Sequence, residues 1–282
     1  MKLIIYVSAL FMLYGAVFAQ SLTPAPSPFC KLTQVVGVTE VSVEYSRPGI
    51  KGREIFGGLV PFSEVWRTGA NSVTKLTFST DVKLEGHPVP AGSYSLYTVP
   101  GQHSWKIMVN KVADGGPDYN EKEDIASFKV NPKLVPNPVE RFTIEIADMT
   151  DSSAVLQLSW ARTLVPINME FDTQANVRKN IEAFEDADND DNAGGWNQVA
   201  NYYFAKKEYS DALDAVDKSL EIDANPFWVL RLKSQILAGQ GDYEEAIVFA
   251  KKSLVSATKA GNQNYIKMNE DAIKEWEAKL AE

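Results

Sequence analysis

The chain has 282 residues, 45% of them apolar, and a formal net charge of -9. That is enough chain for two domains and enough apolar side chain to bury a sizeable core. Most of the acidic excess lies in the second half, and an acidic chain argues against nucleic-acid binding, which needs a basic surface to meet phosphates.

Lys2 precedes an apolar run from Leu3 to Phe18, and Val17 and Ala19 put small residues at the two positions a signal peptidase reads. The expectation is a signal peptide over residues 1–19, cut before Gln20, and a periplasmic or secreted mature chain. The run is shorter than the roughly 20 residues of a spanning helix, and no later segment is suitable, so no membrane span is expected after cleavage. Residues 20–30 form a flexible, proline-rich lead. The single cysteine, Cys30, has no partner for an internal disulfide.

Residues 31–170 read as β structure. "VTEVSVEYS", "VTKLTFSTDVKL", "SYSLYTV" and "SWKIMVNK" alternate or carry strand-forming residues, and Gly86 to Gly92, with Pro88 and Pro90, reads as a turn. "ERFTIEIADMTDSSAVLQLSWA" predicts a hairpin with Asp148 to Ser152 as its loop. "TLVPINMEF" predicts a last edge strand, because an interior strand does not tolerate Pro166. Several short strands with turn signals between them point to an antiparallel sandwich-like domain.

At Asp172 the period becomes helical, with Val177, Ile181 and Phe184 on one face. Residues 171–193 read as a linker helix and an acidic loop. Asp186, Asp188 and Asp190 alternate as in a calcium loop, but Asp191 stands where such a loop has glycine and Asn197 where it has glutamate. The segment is therefore read as a solvated linker. In 194–282, "YSDALDAVDKSL" at Tyr209 and "YEEAIVFAKKSL" at Tyr243 recur with an offset of 34 residues, the period of a tetratricopeptide repeat. Ile266, Ile273, Trp276 and Leu280 follow as a capping helix. The fold class is therefore multidomain, with an all-β sandwich-like domain and a small tetratricopeptide-like helical domain.

Two histidines and one cysteine supply too few ligands for a zinc site, and there is no H-E-x-x-H, Walker loop, G-x-G-x-x-G or G-x-S-x-G. No metal and no cofactor are expected. The segment Tyr45 to Asn71, "YSRPGIKGREIFGGLVPFSEVWRTGAN", is long for a loop and too apolar to be disordered. Arg47, Lys51, Arg53 and Arg67 outnumber Glu54 and Glu64 within it. Arginine forks suit carboxylates and phosphates, a tryptophan face suits sugar rings or cations, and an asparagine both donates and accepts. Arg47, Arg53, Trp66, Arg67 and Asn71 are accordingly ligand-binding candidates for a small anionic or sugar ligand. The structural reading has Trp66 in the core and Arg53 and Arg67 paired with Glu64, Glu54 or Glu44. In either case the loop is expected to pack through Phe56, Leu59 and Phe62. In the helical half, Asn197, Asn201, Trp228, Arg231 and Gln235 are the positions expected to line a groove for a partner peptide.

"YSRP" (45–48), "KGREIFGGLVPF" (51–62), "VWRTGAN" (65–71) and "PAGSYSLYTVPG" (90–101) together resemble the bacterial domain of unknown function 2911, from about Pro28 to Glu170. The resemblance implies a secreted or envelope-located all-β domain, sometimes joined to tetratricopeptide repeats. It implies no activity and carries over no catalytic residue. The leading expectation is a non-catalytic binding or scaffold protein of the envelope. The alternatives are an enzyme, such as a hydrolase clamping its substrate with the Arg/Trp loop, and a purely structural assembly module. Amino-terminal sequencing of the mature protein should begin at Gln20 or within a residue or two of it; a mature chain that retains Met1 refutes the export expectation.

Overall fold

A computed structural model describes residues 23–113, 119–187, 189 and 191–281. The leader expected over 1–19, the first residues of the proline-rich lead, and Asp188 and Asp190 of the acidic connection lie outside the described residues. The chain divides into two compact units, residues 1–173 and 174–282.

Within the first unit, strands β1 (Phe29–Val36), β2 (Thr39–Ser46), β3 (Thr74–Phe78), β6 (Gly92–Val99), β7 (Trp105–Asn110) and β8 (Asp124–Val130) form one antiparallel sheet in the order β1-β2-β3-β6-β7-β8. Strands β4 (Val82–Leu84), β5 (His87–Val89), β9 (Lys133–Ala147) and β10 (Ser153–Phe171) form a second, in the order β5-β4-β10-β9. Inward residues of both sheets share one core: Val41, Val43, Leu76, Leu96 and Ile107 from the first, Phe142, Leu156, Leu158 and Ile167 from the second. This is the arrangement of a sandwich. Tyr45 of β2 ties the sheets together. Its hydroxyl donates to the Ile144 carbonyl (3.2 Å) and accepts from the Ile144 amide (2.8 Å).

Three expectations change. The stretch "VTKLTFSTDVKL" is not one strand: β3 and β4 belong to different sheets, and Ser79 to Asp81 carry the chain across. The Gly86–Gly92 turn contains β5, and the actual turn is Glu85-Gly86, both at positive φ (48° and 78°) as a type I′ hairpin requires. Pro88 is tolerated because β5 is an edge strand. Pro166 lies in the interior strand β10 rather than on an edge. It falls between Leu164, the last residue paired with β9, and Met169, the first paired with β4. A missing N–H costs no ladder bond at such a handover. The 148–152 hairpin loop is as expected, while β8 carried no reading in the sequence.

The second unit holds α1 (Thr173–Glu185, its first residue in the first unit), α2 (Ala193–Lys206), α3 (Tyr209–Ile222), α4 (Phe227–Gln240), α5 (Tyr243–Lys259) and α6 (Gln263–Leu280). Helices pack as neighbours, α2 on α3, α3 on α4, α4 on α5 and α5 on α6. The 34-residue offset of the sequence recurs atom for atom. Ser219 Oγ donates to the Ala193 carbonyl (2.8 Å), and Ser253 Oγ to the Phe227 carbonyl (2.7 Å). Lys207 and Gly241 both close their helices in the left-handed conformation. Ala212 and Ala246 are both fully buried where paired helices touch. Val177, Ile181 and Phe184 of α1 join the core of the first pair, and Trp276 of α6 joins that of the second.

Two measurements follow from this packing. Ala246→Leu inserts three carbons where there is no room and should destabilise the helical unit by about 1–3 kcal/mol in a thermal melt; an unchanged melt refutes the close helix contact. Burial pushes the Tyr45 hydroxyl up to about 12. The unfolded tyrosine ionises first, at about pH 10, so stability should be intact below that and fall as pH rises toward 12. Burial also raises Tyr94, Tyr119 and Tyr203, so Tyr45→Phe should flatten part of that decline and not all of it, as read by denaturant unfolding from pH 9 to 12.

Candidate functional site

The 45–71 segment is ordered because it is laced to both sheets. At its start the Ile50 amide donates to the Glu140 carbonyl (2.8 Å), and the Phe142 amide donates to the Pro48 carbonyl (2.9 Å), which fixes it to β9. Near its end the Trp66 amide donates to Thr98 O (2.7 Å) and the Thr98 amide to Trp66 O (2.9 Å), which fixes it to β6. Between these anchors a tight turn is closed by Leu59 N to Glu54 O (3.0 Å) and Val60 N to Ile55 O (2.8 Å). The turn needs its glycine pair. A Cβ on Gly58 would lie 2.6 Å from the Glu54 carbonyl oxygen, and Gly57 combines φ 94° with the Phe62 ring at 2.7 Å.

The apolar anchors are Ile55, Val60 and Trp66, all buried, with Phe56 half-buried against the same core. Leu59, expected to anchor the loop, is instead 46% exposed, because the turn that buries Val60 points its neighbour outward. Trp66 is 8% exposed and sits in an aromatic cluster. It stacks on Trp160 (5.9 Å between centroids, 20°) and meets Phe142 (5.1 Å), Phe56 (6.0 Å) and Trp105 (6.3 Å) edge to face. The Trp66 Nε1–H donates to Gly69 O (3.1 Å), whereas the buried Trp160 Nε1–H has no partner among the described residues. Thr68, fully buried, holds φ 56°, a strained conformation for a β-branched residue. Its hydroxyl donates to Thr98 Oγ1 on β6 (3.1 Å), and its carbonyl accepts from Thr74 Oγ1 (2.5 Å).

The three arginines have separate fates. Arg47 donates from Nε to Phe142 O (3.0 Å) and from Nη2 to Thr143 Oγ1 (2.6 Å), stapling the loop's entry to β9. Arg53 donates to Ile50 O (3.1 Å) and Gly49 O (2.6 Å). The carboxylate pairing expected for Arg53 is thus replaced by carbonyl contacts, and Glu44 pairs with Lys31 (2.9 Å). Arg67 is exposed, and among the described residues its guanidinium has no hydrogen-bond or ion-pair partner. Asn71, at φ 60°, donates to Ser27 O (3.3 Å) and Ser46 Oγ (3.1 Å).

Arg53, Trp66 and Arg67 come together on a cleft of about 360 Å³, joined by Lys51, Glu64 and Trp160. Arg47 and Asn71 do not line it. Trp160 was not readable as a participant, because it lies 94 residues beyond Trp66 in a strand that resembles any buried strand. Lys51 and Glu64 were visible as charges of the segment, but their position on the cleft depends on the turn between them. Among the described residues no group of three His, Cys, Asp or Glu side chains is placed to hold a metal ion, and no helix is long and apolar enough to cross a membrane.

On the helical unit, Asn197 and Asn201 lie one turn apart on α2, and the Asn201 amide donates to Asn197 O (2.7 Å). Trp228, Arg231 and Gln235 occupy successive turns of α4. Trp228 is 48% exposed and meets Phe227 edge to face at 4.9 Å. Arg231 is half-buried, and burial lowers its pKa from the ordinary guanidinium value. It donates to Met268 O (2.9 Å) and Asn269 Oδ1 (3.3 Å), so it links α4 to α6.

No curated protein matches the chain. The family model described as Protein of unknown function (DUF2911) matches residues 27–169, which takes in the whole of the cleft-bearing loop and both sheets almost to the end of β10, and the chain belongs to that family.

Proposed function

We propose that the chain is an exported, non-catalytic binding protein of the bacterial envelope, in which the β unit takes a small organic anion or sugar acid into the cleft beside Arg67. The observation that carries this reading is Arg67 itself. It is a permanent cation on a loop whose backbone is fixed to both sheets, and its fork is unpartnered among the described residues. A loop backbone already fixed in place loses little further entropy when a ligand arrives. Strained backbone such as that at Thr68 persists where the surroundings enforce it, often at ligand clamps. Lys51 adds a second positive charge at the cleft, whose floor is the buried Trp66 and Trp160 pair.

The helical unit is read as a tetratricopeptide-like module. The 34-residue recurrence of the Ser219 and Ser253 hydrogen bonds and of the buried Ala212 and Ala246 supports this. The exposed Trp228 ring and the amides of Asn197, Asn201 and Gln235 supply the apolar and hydrogen-bonding contacts that an extended partner peptide uses.

The test is a thermal-shift titration with glucuronate, citrate and inorganic phosphate. At about 100 times its dissociation constant, a bound ligand adds about 2.7 kcal/mol of stability. Arg67→Ala should abolish the shift while leaving the unliganded melting temperature nearly unchanged, because the side chain is exposed and makes no contact that folding needs. Arg53→Ala should cost about 1 kcal/mol of stability through its lost carbonyl contacts. The reading is wrong if none of the three anions stabilises the wild type, or if Arg67→Ala responds to them as the wild type does.

A further inference from the structure

The β unit carries a second cavity, larger than the first, of about 550 Å³. Its base is Trp105, against which Phe56 packs edge to face at 4.9 Å. Phe56 and Phe62, both half-buried, give it apolar walls. Three cations, Arg53, Lys133 and Arg162, line it with a single carboxylate, Glu54. Lys133 and Arg162 are exposed, and among the described residues their charged groups have no ion-pair or hydrogen-bond partner. Leu134, also on the lining, is 88% exposed, an apolar side chain standing in water at the rim.

The backbone here is shaped to make the cavity. The β9–β10 ladder slips register between Ser159 and Ala161 and again between Ala161 and Thr163, and Ala161 sits at φ 50°. The slips place extra residues on β9, among them Pro136 and Pro138, so that strand bows away from its partner beside Lys133 and Leu134. Bulges of this kind bend a strand and re-aim side chains, and they are over-represented beside functional sites. They set Arg162 and Lys133 on the lining of one cavity.

The geometry points to a binding site for an amphipathic organic anion, a flat aromatic or hydrocarbon body carrying a carboxylate. The body would lie against Phe56, Phe62 and the Leu134 side chain, removing their apolar surface from water. The carboxylate would face Arg162 and Lys133. This site is distinct from the cleft beside Arg67, although Arg53 lines both.

Isothermal titration calorimetry of the purified chain with 2-naphthoate tests it, with 2-naphthalenemethanol as the neutral counterpart and acetate as the charge without the ring. Saturable binding of 2-naphthoate is expected, with each control at least about tenfold weaker. Arg162→Gln and Lys133→Gln should each weaken 2-naphthoate by about tenfold, since each removes one charged contact. Arg67→Ala should leave it unchanged, which separates this site from the Arg67 cleft. The inference is overturned if 2-naphthoate shows no saturable binding, if the neutral alcohol binds equally well, or if Arg162→Gln matches the wild type. Loss of affinity in Arg67→Ala with none in Arg162→Gln would also overturn it, by moving the ligand to the other cleft.

Discussion

The burial of Trp66 between two sheets governs the rest of the β unit. A tryptophan arriving from a loop must bring its backbone into the interior, and buried peptide groups need partners. The Thr98 exchange supplies them on the β6 side, and the Glu140 and Phe142 contacts supply them on the β9 side. The loop is then over-determined, which is why Thr68 can be held at φ 56° at a cost of about 1–3 kcal/mol. Aromatic pairs contribute about 0.5–1.5 kcal/mol each beyond their buried area, and Trp66 makes such contacts with Trp160, Phe142, Phe56 and Trp105. The cluster therefore outweighs the strain. The Trp160 N–H, buried and without a partner among the described residues, is a further cost of the same packing.

How much of this was legible depends on whether the signal was local. Alternation along β2 and the hairpin between β9 and β10 are properties of neighbouring residues and could be read directly. The 34-residue offset could be read because both copies keep the same small and polar residues at the same helical positions. Whether β3 and β4 share a sheet could not, because alternation fixes a strand's faces and not its partners. Pro166 shows the limit from the other direction. The rule against proline in interior strands concerns lost ladder bonds, and it does not apply where the strand changes partner.

The candidate site shows the same split. That Arg47, Lys51, Arg53 and Arg67 form a local cationic excess was plain in the sequence. Which of them would remain available was not. Arg47 is consumed by the Phe142 carbonyl and the Thr143 hydroxyl of β9, and Arg53 by the Gly49 and Ile50 carbonyls of the loop itself. Arg67, next in sequence to the buried ring, must point the other way, because successive side chains of an extended segment alternate in direction. The residue with the free fork is thus set by its neighbour's need for the core.

This alternation also bears on how an acidic protein can present an anion site at all. A net charge of -9 would repel a small anion in the absence of salt. At physiological ionic strength charges further off than about 8 Å are largely screened. What an anion meets at the mouth of the cleft is therefore set by Lys51, Arg53, Arg67 and Glu64 on its lining, together with Glu140, whose carboxylate accepts from the Lys51 amide (3.1 Å), and not by the sum over the sequence. Three cations against two carboxylates leave a local excess of the opposite sign to the protein's own. Holding those cations together requires the rigid loop, and the rigidity comes from a tryptophan whose ring lies in the core beneath them.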